Sequence, residues 1–140
     1  VAAGGFDESL PFSEDWDFWL RLTRVSQFLK LREATTLYRQ HSSQGSRITR
    51  PVDYRTRLLE DASRKWGLCS QDGRCVSPKR FKRQLAGYCA GFGLGHLKGG
   101  EGASRVIAAK SFLKAWSIDR RYWRTLVYLA AMAIGWKPKW

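Results

Sequence analysis

The apolar positions of this chain change period along its length. In WDFWLRLTR, Trp16, Trp19, Leu20 and Thr23 fall on one helical face, with Phe18 and Leu22 on another. This spacing predicts a largely buried helix over 14–25, with Ser13 as its N-cap and Glu14, Asp15 and Asp17 in its first turn. Phe28–Leu31 and Thr35–Arg39, either side of Arg32-Glu33, are short β-like runs. HSSQGSRITR (41–50) is polar and reads as a loop. Pro51 suits the first turn of a second helix, which carries Leu58, Leu59, Ala62 and Trp66 and stops at Gly67. Beyond an SQDGR turn, the pattern is helical over 79–97, 102–116 and 120–136, broken at KGGEG (98–102). Ala108, Phe112 and Ala115 share one face of the middle segment, with Asp119 just past its end.

Composition excludes wholesale disorder. Apolar residues are 44% of the 140 positions and seven are Trp, enough to bury a core. The longest apolar run, Thr125 to Trp136, has 12 residues and is too short to span a bilayer. The chain opens on VAAGGFDESL, with no Met and no basic stretch leading an apolar one, as a piece of a longer protein does. Cys69 and Cys75 flank turn residues and can pair in a hairpin; with Cys89 they make three. Reduced thiols in a cytosolic protein are the favoured expectation, and no zinc site of standard spacing is visible.

Charge divides the chain. Residues 1–18 hold five acids and no base, whereas the remainder holds seven acids and all 25 Lys and Arg, making −5 and +18 of the net +13. The acids coincide with the densest motif. Gly-Gly-Phe-Asp-Glu (4–8) is followed by Glu14-Asp15 opening a helix. Tyr38-Arg39-x-His41 follows about 15 residues beyond that helix, with Ser46 further on. This ordered set, across residues 1–50, resembles family 2 glycosyltransferases of the GT-A fold.

The resemblance implies an α/β fold class. Residues 1–50 would be the C-terminal, acceptor-side part of a GT-A domain, 51–78 a bridging helix and turn, and 79–140 an α-helical extension. It implies an inverting transfer of sugar from a nucleotide-diphospho-sugar to a hydroxyl of a glycan or lipid-linked acceptor. Asp15 would be the base, and Glu14 would orient the acceptor or support Asp15. Gly4, Gly5 and Trp16 would lie at the acceptor. Arg39 and His41 would lie near the donor diphosphate or a Mg or Mn ion, with His41 a candidate metal ligand, and Ser42, Ser43 and Ser46 would order around the donor. The chemistry suits the residue types: a base must reach the hydroxyl as attack begins, and Arg offers a fork of donors to phosphate. Two plainer readings stand beside these: Trp16 and Trp19 as core residues, and His41 as an exposed loop histidine. The family's nucleotide-binding half, with its acidic metal motif, has no counterpart here. Asp15-Trp16-Asp17 has the Asp-x-Asp letters but lies in the acceptor-side element. The chain alone is therefore expected neither to bind nucleotide-sugar tightly nor to turn over.

The basic remainder has its own readings. Arg47, Arg50, Arg55, Arg57, Arg64 and Lys65 form one cluster, and Lys79, Arg80, Lys82 and Arg83 another. Arg120, Arg121 and Arg124 lead into the apolar run, with Lys137 and Lys139 after it. A solvated basic surface and a dock on anionic membrane are the main readings. Trp116, Trp123, Trp136 and Trp140 suit an interfacial helix. Nucleic acid is disfavoured, because no fold motif for it accompanies the charge. The expected location is cytoplasmic, peripheral on the inner face of the membrane. A non-catalytic basic helical module that docks on membrane or nucleic acid is the alternative to a transferase.

Overall fold

The computed structural model describes residues 2–41 and 48–136. Ser42, Ser43, Ser46, Arg47, Lys137, Lys139 and Trp140 lie outside the described residues. The described residues form α1 (Glu14–Leu22), α2 (Tyr54–Trp66), α3 (Pro78–Lys98), α4 (Arg105–Ile118), a 3-10 turn (Arg120–Tyr122) and α5 (Arg124–Ala133). There is no strand among them, which corrects the expected α/β GT-A fragment: the described chain is helical. Residues 28–31 and 35–39 have no regular structure. A strand needs a ladder partner, and Arg32-Glu33-Ala34 offers no hairpin turn to pair these two runs. Their side chains stay in water, with Leu29 87% and Leu37 100% exposed.

Side-chain caps set most helix starts. Asp53 accepts the Thr56 amide at 3.0 Å, so α2 begins after Asp53 rather than at Pro51. Ser77 with Pro78 opens α3, Ser104 opens α4, and Asp119 opens the 3-10 turn. Each such cap stabilises by about 1 kcal/mol. KGGEG breaks the chain between α3 and α4 through positive φ at Gly99, Gly100 and Gly102. At Gly102 a Cβ would also collide with the Thr49 carbonyl.

The core lies in α3, α4 and α5. Phe112 is 0% exposed and packs with Leu97, Ala108 and Met132; a second cluster joins Cys89, Ala90 and Ala115. Gly93 lets α3 and α4 approach, because a Cβ there would sit 2.7 Å from the Phe112 ring. By contrast α1 holds no buried residue, and Trp19 is 48% exposed, so the expectation of a largely buried first helix is corrected. Arg21 pairs with Asp17 at 2.7 Å and donates to the carbonyls of Ala3 and Gly5, while Arg24 donates to the Cys69 carbonyl at 3.0 Å. No helix among the described residues is long and apolar enough to cross a membrane.

Cys69 and Cys75 are joined by a disulfide across the 70–74 turn, which corrects the expectation of three reduced thiols. The turn brings their Cα atoms to 4.1 Å, and Ser70 and Val76 amides close the hairpin. Cys89 is a free, buried thiol whose pKa is pushed up by burial, partly opposed by its contact with the Thr56 hydroxyl at 3.7 Å. A raised folded pKa stabilises fully below the unfolded thiol's pKa and is lost as pH rises through the folded value. Urea midpoints should therefore fall above about pH 8.5, and Cys89→Ala should remove that part of the fall. Cys89 should also react with a thiol reagent far more slowly in the folded chain than in denaturant.

Candidate functional site

The N-terminus of α1 opens into a cleft of about 920 Å³. Its walls are residues 12–16, the segment 48–55 and one face of α3 from Gly87 to Gly99. That volume is in the range of small-molecule sites. Ser13 stands at the mouth in the left-handed region, φ 64°, the one non-glycine residue of that kind among those described. It occupies the expected N-cap position, yet its side chain makes no cap bond. This turn aims the first residues of α1 at α3, at a cost of about 1–2 kcal/mol in backbone strain.

The three first-turn acids then divide. Asp17 is held by Arg21 on the far side, where it anchors the 3–5 loop. Glu14 is exposed and Asp15 is half-buried, and both line the cleft. The Asp15 carboxylate accepts its neighbour's Trp16 amide at 2.8 Å, which fixes one oxygen.

Aromatic rings line the same cleft. Trp16 meets Tyr88 of α3 edge-on at 6.2 Å, so it is half-buried against the cleft wall and not in the core. The Arg55 guanidinium lies 4.6 Å from the Trp16 ring centre and 5.2 Å from that of Tyr88. Arg50 lies 3.7 Å over Phe12. Carboxylates and guanidinium groups gathered beside aromatic rings suit a polyhydroxylated ligand, whose hydroxyls need both acceptors and donors.

Glycine keeps the cleft open. Gly91 and Gly95 sit a turn apart on the α3 wall, and a Cβ at either would meet nothing within 4 Å. The wall is braced by His96, which is 1% exposed. The Ser104 amide donates to its Nδ1 at 3.0 Å, so Nε2 carries the proton and donates to the Arg50 carbonyl at 2.8 Å. One buried ring thus ties segment 48–55 and the start of α4 to α3.

Other expected site residues lie elsewhere. Gly4 and Gly5 do not line the cleft. Gly4 has φ 70° and sits beneath Arg21, which gives it a turn role. Arg39 and His41 are exposed, in a segment without regular structure, and do not line the cleft either. Among the described residues no three His, Cys, Asp or Glu converge to hold a metal ion. Sequence reading missed Tyr88, Phe92, Arg55 and His96 as parts of a site. Gly91 and Gly95, four residues apart, were a visible sign that one face of α3 is kept bare. No protein-family model, curated protein or solved structure matches the chain.

Proposed function

We propose that this cleft holds the acceptor of an inverting glycosyl transfer, with Asp15 as the base that takes the proton from the acceptor hydroxyl. The observation that carries this reading is the meeting of Asp15 and Glu14 with Trp16 and Tyr88 in one open cleft. It rests on that cleft and on the resemblance of the 4–8, 14–22 and 37–46 segments, not on a shared sheet. Glu14, more exposed, orients the acceptor. The nucleotide-diphospho-sugar, with whatever ion accompanies it, belongs to a part that these residues do not supply.

Saturation-transfer NMR with neutral oligosaccharides and with a nucleotide-sugar tests the reading on the chain itself. Oligosaccharides should receive saturation and quench Trp fluorescence, while nucleotide-sugar should do neither. Gly91→Leu should abolish the oligosaccharide signal by filling the cleft. Gly91→Ala should keep it and stabilise α3 by about 0.5–1 kcal/mol, since alanine suits a helix better than glycine. Oligosaccharide binding that survives Gly91→Leu would place the acceptor site elsewhere.

A further inference from the structure

The exposed side of α5 is apolar over its whole length. Trp123, Val127, Ala130 and Ile134 recur at the spacing of one helical stripe, and all four face solvent. The exposure is large: Trp123 is 56%, Val127 53% and Ile134 84%. The opposite side is already used, since Thr125 and Met132 are buried and Tyr128 and Leu129 pack on the Phe112 cluster. The stripe is therefore surplus to the fold. No charged side chain occurs between Thr125 and Trp136.

Arginines collect at the N-terminal end of this stripe. Arg120 stacks on Trp116 at 3.6 Å and Arg124 on Trp123 at 5.9 Å. Arg121 is partly neutralised by Asp119 at 3.6 Å, so Arg120 and Arg124 carry most of the local charge. Trp136, at the other end, stacks on Tyr128. A stripe bounded by Trp and flanked by Arg matches the boundary between lipid headgroups and acyl chains, where amphipathic rings and cationic heads both find partners.

Charge decides the occupant. A second copy would bring two chains of net charge +13 together, which repulsion opposes. A nucleic acid would satisfy the arginines and leave Val127 and Ile134 in water. An anionic bilayer satisfies both. We propose that α5 lies in the surface of an anionic membrane, its Trp123–Ile134 stripe inserted at the headgroup boundary and Arg120 and Arg124 paired with lipid phosphates. This is independent of the sugar cleft.

Co-sedimentation of the chain with vesicles of phosphatidylcholine alone, and of phosphatidylcholine mixed with phosphatidylglycerol, tests it. Binding should appear with the mixed vesicles, weaken with added salt, and shift Trp emission to the blue. Arg120→Gln and Arg124→Gln should each weaken it about fivefold. Val127→Asp with Ile134→Asp should reduce it more than tenfold, with circular dichroism unchanged because both positions are exposed. Three results would overturn the proposal. One is no sedimentation with the mixed vesicles. Another is binding that the aspartates leave intact, which is charge adsorption alone. The last is a concentration-dependent dimer, lost in the aspartate variant, in vesicle-free solution.

Discussion

Phe112→Ala should cost the fold about 3–5 kcal/mol, a large share of the roughly 5–15 kcal/mol that holds a domain together. Phe112 is 0% exposed and stands where three helices meet. Its ring touches α3 at Gly93 and α5 at Tyr128, whose ring centre is 5.5 Å away. Its backbone carbonyl lies 3.2 Å from the buried Thr125 hydroxyl. Removing the ring leaves a void that rigid helices close poorly. Urea melts followed by circular dichroism should show the loss, and Tm should fall by roughly 10 °C. A change under about 1 kcal/mol would mean that the helices collapse into the space.

Gly93 gives this argument a second arm. A methyl there would meet the Phe112 ring at 2.7–2.8 Å and the Ala108 carbonyl at 3.1 Å. Alone, Gly93→Ala should destabilise by about 1–3 kcal/mol through overpacking, against the gain in helix propensity. Combined with Phe112→Ala, the methyl enters the vacated space. The double variant should be more stable than the two single losses added together, by about 0.5–3 kcal/mol. Additive losses would show that Ala108, not the ring, sets the spacing of α3 and α4.

The same contrast explains what could be read from the sequence. The helices after residue 50 were legible because apolar residues repeat at helical spacing and because Gly67 and the KGGEG break mark ends. Three starts shifted: Asp53 outcompetes Pro51 as a boundary, α4 begins after Ser104 rather than at 102, and the last predicted segment divides into a 3-10 turn and α5. Strand propensity failed at 28–39 because propensity does not supply a partner. The burial of α1 failed for a related reason: a two-sided apolar pattern shows what a helix can bury, not whether anything covers it. The cleft was half legible. Its acidic wall stands in the sequence as one motif, whereas Tyr88 and Arg55 join it only through a tertiary approach. His96 was invisible because its two partners, Arg50 and Ser104, are backbone groups that any residue type could supply.

Asp15→Asn should reduce glycosyl transfer by about 10²–10⁴-fold wherever the nucleotide-binding half is supplied, the range that a positioned general base contributes. Asn keeps the oxygen that accepts the Trp16 amide, so α1 and its cleft should persist. What disappears is the second carboxylate oxygen, the one that takes the acceptor proton in the proposed role. Donor affinity should stay near normal, because the proposal places the donor outside the cleft that Asp15 lines. Glu14→Gln should cost less and act on acceptor KM, as an exposed orienting group does. Asp17→Asn is the structural control. It breaks the 2.7 Å pair with Arg21 and loosens the 3–5 loop without touching the cleft, so it should lower stability more than turnover. Transfer assays on the three variants separate these roles. Near-normal turnover in Asp15→Asn removes Asp15 as the base, while a loss matched by Asp17→Asn assigns the effect to the shape of α1 instead.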